Sequence, residues 1–291
     1  MKELGISRST TPLFNVVYFE VRTKCNGGCE FCAASIQNDT RKDTLMPRKT
    51  FDLVISQLKE INYSGRIAYH VNNDPIIFPY LEEFICHTRK ELPNSWIQIL
   101  TNGIALSVKK ADKLVHSGID ELTINYYMND LGLNLHEKFE RIRNEVLPKY
   151  YHPEQIKEGH GPDNHGEKIF RYNVNKSDIA KIKTSRAGTA PNKPHKSTGL
   201  RGFCEYPFHQ FNITTDGRVS RCCAEFFFAD PMGNVNHESL MEIWEGEKFN
   251  SIRKHLIKGK RSSLRYCKDC DFYGVRRITS KVGEYIYRIT E

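Results

Sequence analysis

Three cysteines near the start of the chain stand in the run Cys25-Asn-Gly-Gly-Cys29-Glu-Phe-Cys32. Thiolates packed this tightly can wrap one polynuclear metal centre but cannot complete it. A four-iron cube held by these side chains alone keeps one iron open to a small molecule. Zinc ribbons and fingers bring ligands in Cys-x2-4-Cys pairs, with a second pair further on. Ferredoxin runs carry a fourth cysteine close by, whereas the next cysteine here is Cys86. Gly27 and Gly28 let the backbone turn tightly and approach a cluster closely, and Phe31 is placed to shield it from water. Three unconnected buried thiols are the plainer alternative, but thiols are rarely grouped this way without chemistry.

Cys25-x3-Cys29-x2-Cys32, with an aromatic before the third cysteine, resembles the signature of radical S-adenosylmethionine (radical SAM) enzymes. The resemblance implies a [4Fe-4S] cluster on these three cysteines with SAM on the open iron. It also implies reductive cleavage of SAM to a 5′-deoxyadenosyl radical that removes hydrogen from a substrate. A reducing electron donor such as flavodoxin or ferredoxin is implied with it. In such proteins the cofactor carries the hard chemistry, and the chain supplies positioning and exclusion of water.

The chain has 291 residues, enough for one large domain or a medium one with an appendage. No apolar run approaches the roughly 18–20 residues of a membrane span, and the first residues show no secretory apolar segment. Nine cysteines in a chain of this size suit metal ligation in a reducing cytoplasm better than a disulfide scaffold. Net charge is +8, with a late basic run of Arg253, Lys254, His255, Lys258, Lys260, Arg261, Arg265 and Lys268. Such a run can attract nucleic acid, but aromatics do not interleave with it as on a base-stacking platform. It reads first as a solvated helix face and loop.

The first half alternates strands and helices. Strands are expected at 15–21, 66–71, 96–100, 122–124 and 169–174. Helices are expected from Pro47 through Ile61, and over 79–89, 107–116 and 135–146, with Gly118 closing the third. This rhythm implies a parallel sheet covered by helices, with ligands at the carboxyl ends of the strands. The cysteine loop follows the first strand and lies at that end. With the resemblance, the expected architecture is α/β: a partial (β/α)6 radical SAM barrel over 12–190, then a small C-terminal α+β extension over 191–291. Cys86 falls on the second helix and reads as core. His152, His160, His165 and His195 are irregularly spaced and read as loop residues in a stretch, 151–203, that could serve in part as a lid.

After Cys204, two strands at 209–214 and 218–222 meet through Asp216-Gly217, a hairpin signal. Helical periodicity follows through Trp244 and Leu256. Cys204, Cys222 or Cys223, Cys267 and Cys270 can supply four thiolates, which zinc and iron–sulfur clusters both accept. Successive strand residues point to opposite faces, so only one of Cys222 and Cys223 is expected to ligate. Gly217-x4-Cys222, Gly233-Asn-Val, Leu240-Met-Glu-Ile-Trp244 and Cys267-x2-Cys270 together resemble the SPASM/twitch extension of radical SAM enzymes. The shorter twitch form holds one auxiliary [4Fe-4S] cluster, and the match implies Cys204, Cys222, Cys267 and Cys270 as its ligands. No cysteine follows Cys270, which speaks against a second auxiliary cluster.

The resemblance also implies SAM contacts from Asn73, Asp74, Thr101 and Asn102. Asn72-Asn73-Asp74-Pro75 stands where family members usually show Gly-Gly-Glu-Pro, so the carboxylate is retained but one methylene shorter. Ser185-Arg186-Ala187-Gly188 resembles a late-barrel segment near SAM or the extension. Asn125, Tyr126, Tyr127 and Asp130 follow the fourth strand and are candidate substrate contacts by position. Similarity to twitch-type aminocyclitol dehydrogenases implies oxidation, with the auxiliary cluster accepting an electron. Peptide modification, and epimerisation with Cys223 or Cys86 as hydrogen donor, are the enzymatic alternatives, so the substrate is a small molecule or a peptide. A non-enzymatic metal protein that binds nucleic acid is the remaining one.

Overall fold

The structure is a computed structural model that describes residues 13–126, 135–158, 169–174, 185, 187–191 and 203–271. Among the described residues nine strands form one sheet in the order β5-β6-β4-β3-β2-β1-β7-β8-β9. They are β1 Val16–Phe19, β2 Arg66–Ala68, β3 Trp96–Thr101, β4 Glu121–Tyr126, β5 Ile156–Glu158, β6 Ile169–Val174, β7 Gln210–Ile213, β8 Arg218–Ser220 and β9 Gly233–Asn234. All pairs from β5 to β7 are parallel, a run of seven strands where the expected (β/α)6 barrel has six, while β8 and β9 are antiparallel. β5 precedes β6 in the chain yet takes the outer place, a strand the sequence pattern did not reveal.

The helices lie where the apolar spacing puts them. α1, Arg48–Glu60, starts after Pro47 and buries Phe51, Val54, Ile55 and Leu58, while Leu53 faces solvent. α2, Leu81–Glu91, carries Glu82 and Glu83 in its first turn and Arg89 and Lys90 in its last, matching the helix dipole at both ends. Its buried face is Leu81, Phe84, Ile85 and Thr88. That spacing turns Cys86 to solvent, so the core reading of Cys86 is corrected. α3, Val108–His116, is capped by the Ser107 hydroxyl, which accepts from the Lys110 N–H at 3.1 Å. The long helix expected over 135–146 divides into α4, Leu135–Arg141, and a π-helical turn, Ile142–Val146.

β7 and β8 form the hairpin anticipated at Asp216-Gly217, with Gly217 at φ +84°. A side chain there would meet the Asn236 amide at 2.3 Å. β7 also pairs in parallel with β1, aligning Tyr18 with Asn212 and Phe19 with Ile213. The cysteine-rich C-terminal segment therefore continues the barrel sheet instead of hanging from it. α5, Leu240–Glu245, opens with a Ser239/Glu242 capping box. α6, Glu247–Ile257, follows directly.

The basic run is not uniformly solvated. Arg253 is fully buried, with its guanidinium 4.0 Å from the Trp244 ring centre and 4.7 Å from that of Phe249. It donates to the Pro207 and Trp244 carbonyls. Arg261 is also buried. Among the described residues no helix is long and apolar enough to cross a membrane.

Period-two alternation sorts the barrel strands by face. Val17, Phe19, Ile67, Ile97, Ile99, Leu122, Ile124, Phe211 and Ile213 join the helices in one core. The opposite face carries Gln98, Thr123, Asn125, Arg171, Gln210 and Asn212, all buried polar residues. A concave face this polar is costly unless something hydrogen-bonds to it.

Candidate active site

The carboxyl ends of β1, β2 and β3 meet at the first cysteine loop. The Gly27 N–H points to the Cys25 sulfur at 3.4 Å. The Asn102 amide, just past β3, lies 3.6 Å from the same sulfur and donates to the Asn26 side chain at 2.9 Å. A Cβ on Gly27 would stand 3.6 Å from the Cys25 sulfur, 3.8 Å from that of Cys29 and 3.1 Å from the Asn102 amide. The glycine thus keeps open the space that the sulfurs border. Burial pushes the Cys25 and Cys29 thiols up to about 12, with Asp74 reinforcing it at Cys25 and Cys32 at Cys29. Thiols held this high are not free nucleophiles, and a metal is what deprotonates such groups.

Asp74 is buried and braces this end of the sheet. Its carboxylate accepts from the Ile76 N–H at 2.9 Å, the Thr101 hydroxyl at 2.8 Å and the Asn102 N–H at 2.7 Å. Desolvation nonetheless raises its pKa. Most of its acceptor capacity is spent on protein donors. Asn73 closes its own loop, accepting from the Val71 N–H at 3.0 Å.

Arg41 locks the loop from outside. It pairs with Glu20 at 2.8 Å and Asp39 at 3.1 Å. Its guanidinium also lies 4.3 Å from the Phe226 ring centre. Phe226 comes from the C-terminal part and packs with Ala33, Ala34, Cys25 and Cys32. Phe31 is half-buried, and the apolar cover identified on the loop is Phe226. Only the adjacent Phe-Phe-Phe run hinted at it.

The second cysteine set borders a cavity. Cys204, Cys222, Cys267 and Cys270 line it with Ala187, Tyr206, Arg221, Tyr266 and Arg261. Burial raises the Cys222 thiol, and the charges of Cys223, Cys267, Cys204 and Cys270 reinforce it. Cys223 is not among the lining residues, and its N–H donates to the Gln210 side chain at 3.3 Å. Burial pushes the Cys204 thiol up to about 11. Among the described residues, no three His, Cys, Asp or Glu side chains converge as ligands of a single ion would. Four thiols ringing a cavity, and a trio that leaves a ligand position open, are donor sets that polynuclear iron–sulfur clusters accept.

Ser185 ties the late segment to this second site. Its hydroxyl donates to the Asp269 carbonyl at 2.9 Å, and its N–H donates to the Asp271 carboxylate. Ala187 packs with Cys270, Ala224, Cys222 and Tyr266. Ser185 and Ala187 therefore sit at the extension, one of the two places the segment's sequence suggested. Arg186, Tyr127, Asp130, His160, His165 and His195 lie outside the described residues. Asn125 is buried on the concave face, Tyr126 ends β4 and His152 is exposed.

Two concave-face groups escaped the sequence reading. His70 stands edge-on to Tyr18, ring centres 5.4 Å apart. Its Nδ1 has no hydrogen-bond partner, and burial pushes the imidazole down to about 3, which leaves it neutral. Asn212, on the other side of Tyr18, is fully buried with neither amide atom partnered. Orphaned polar atoms on a sheet's concave face point to a missing polar ligand.

The class these features define is an iron–sulfur enzyme with an open-iron site at the carboxyl end of a partial barrel. Residues 19–129 match the radical SAM superfamily, and residues 204–271 match SPASM, an iron–sulfur cluster-binding domain. The chain is 26% identical over 275 residues to the S-adenosyl-L-methionine-dependent 2-deoxy-scyllo-inosamine dehydrogenase of Niallia circulans, covering 94% of this chain and 98% of that one. Its fold is similar to the crystal structure of BtrN in complex with AdoMet and 2-DOIA, with a TM-score of 0.73, 22% identity, and coverage of 92% and 97%. It is also similar to AdoMet-bound anSMEcpe, with a TM-score of 0.54, 16% identity, and coverage of 96% and 93%. The chain thus carries a radical SAM domain followed by a SPASM iron–sulfur cluster-binding domain. Its cofactors are accordingly SAM, a [4Fe-4S] cluster that serves SAM cleavage, and an auxiliary iron–sulfur cluster.

Proposed function

We propose that this enzyme oxidises a carbinol carbon of a small, polar, hydroxylated substrate of the aminocyclitol class. Cys25, Cys29 and Cys32 hold the first cluster, and Cys204, Cys222, Cys267 and Cys270 hold the auxiliary one. The barrel part, 12–190, serves radical formation, and the extension, 191–291, serves electron acceptance. Bound there, SAM and the two clusters supply hydrogen-atom removal and take up one electron, while the hydroxyl proton leaves to a base.

The observation that carries this reading is the closeness of the two cysteine sets. Cys222 lines the second cavity, and Phe226 forms one cluster with Ala33 and Ala34 against which Cys25 and Cys32 pack. The backbone between 222 and 226 spans at most about 14 Å. A radical made at the first site therefore forms within short reach of an electron acceptor. The polar concave face, with its unpartnered Asn212 amide and His70 Nδ1, suits a substrate rich in hydroxyl or amino groups. The Niallia relative, whose name gives a cyclitol amine as substrate, supports the same class.

Asn73, Thr101 and Asn102 border the SAM site. Asp74 serves it by holding Thr101 and Asn102 in place. A low-potential carrier such as flavodoxin or ferredoxin supplies electrons, and the reducing cytoplasm is the compartment that suits these thiols.

The test is anaerobic turnover with SAM, reductant and 2-deoxy-scyllo-inosamine deuterated at the carbinol carbon. A ketone and 5′-deoxyadenosine in equal amounts, with the deuterium in the nucleoside, are expected. SAM cleavage without any product two electrons more oxidised, across a panel of cyclitol amines, would exclude the reading.

A further inference from the structure

Two arginines line the second cavity, and they differ in one respect. Arg221 is neutralised by protein carboxylates, pairing with Glu225 at 2.9 Å and Asp230 at 2.7 Å. It also stacks at 4.9 Å from the Tyr266 ring centre. Arg261 lies on a short 3-10 turn, Arg261–Ser263, and is 2% exposed. Its Nε has no hydrogen-bond partner, and among the described residues no carboxylate pairs with it. A guanidinium cannot shed its proton in a protein. A buried, unpaired one is strongly unfavourable unless an anion stands beside it. Among the described residues none supplies that anion as an ion pair, and the cavity that Arg261 lines holds Cys204, Cys222, Cys267 and Cys270 together with Glu225, which is already paired with Arg221.

We propose that Arg261 is the buried counter-charge of the auxiliary cluster and sets its reduction potential high enough to accept the substrate's electron. This rests on the reading of the second cysteine set as a cluster site. A cluster held by four thiolates is an anion and gains negative charge when reduced. A fixed cation beside it favours the reduced form, since net charge and local dielectric govern such potentials. Arg221, by contrast, is already paired with Glu225 and Asp230. Arg261 acts through the cluster and is not itself a catalytic residue.

The test is an EPR-monitored redox titration of the full chain carrying Cys25→Ala, Cys29→Ala and Cys32→Ala, so that only the auxiliary cluster reports. Arg261→Gln is expected to lower the reduction equilibrium constant at least tenfold, about 59 mV for one electron. Arg261→Lys, which keeps the charge, is expected to stay near the parent value. A folded Arg261→Gln variant that loses iron while Arg261→Lys retains it also supports the counter-charge role. An unchanged midpoint in Arg261→Gln, or an Arg261→Lys variant as impaired as Arg261→Gln, overturns it. Absence of iron from the parent variant would instead refute the auxiliary cluster itself.

Discussion

Replacing Phe226 by alanine tests the contact that joins the two cysteine sets. The ring is almost fully buried against Ala33, Ala34, Cys25 and Cys32, and the Arg41 guanidinium lies 4.3 Å from its centre. Truncating a buried Phe to Ala costs about 3–5 kcal/mol. Loss of a half-desolvated cation–π contact adds about 1 kcal/mol. A total of about 4–6 kcal/mol is a large part of the 5–15 kcal/mol typical of a domain. Arg41 keeps its pairs with Glu20 and Asp39, so the loop should loosen without losing its charge network.

Anaerobic urea unfolding measures the stability, and iron release to a chelator measures the loop. Phe226→Ala is expected to release iron faster from the Cys25-Cys29-Cys32 site than from the second site. Phe226→Leu, which restores apolar volume but not the ring, should cost roughly 2 kcal/mol. A Phe226→Ala protein within about 1 kcal/mol of wild type, or one that loses iron equally from both sites, would refute the packing argument.

Two further perturbations probe the same end of the sheet. Asp74→Ala strands the Ile76 and Asn102 N–H groups and the Thr101 hydroxyl. It should cost about 3 kcal/mol or more and weaken SAM binding in equilibrium dialysis; unchanged affinity would show that the brace does not shape that site. Glu20, whose pKa burial raises from 4.5 to about 7 against the opposing pull of Arg41, holds its proton longer in the folded state. Its contribution to stability is therefore complete below about 4.5 and is lost as pH rises toward 7. Glu20→Gln should remove up to about 1.4 kcal/mol per pH unit of slope in that window. Equal slopes for wild type and variant in urea titrations at pH 5, 6 and 7 would contradict this.

The parts of the fold legible in the sequence are those with strong local signals. Ser107 and Gly118 bracket α3, Asp216-Gly217 makes the β7–β8 hairpin, and β6 runs over the expected residues. What escaped depends on distant contacts. Nothing local says that β7 pairs with β1, because parallel pairing leaves no turn signal between the partners. Cys86 looked like core because Ile85 precedes it, yet the face set by Leu81, Phe84, Ile85 and Thr88 excludes it.

The site was visible through its cysteines, since tight spacing survives without any knowledge of the fold. Its supports were not. Arg253 and Arg261 were indistinguishable in sequence from their solvated neighbours, although aromatic faces bury one and the cysteine cavity the other. His70 and Asn212 gain meaning only from the sheet, which sets them on either side of Tyr18 on a polar concave face.

The central claim is that the two cysteine sets hold two separate clusters. Iron and acid-labile sulfide per chain, after anaerobic reconstitution of wild type and of the Cys25→Ala/Cys29→Ala/Cys32→Ala variant, test it most directly. About eight irons in wild type, falling to about four in the variant, are predicted. About four irons falling to nearly none would contradict it, and would remove the electron acceptor on which the proposed oxidation depends.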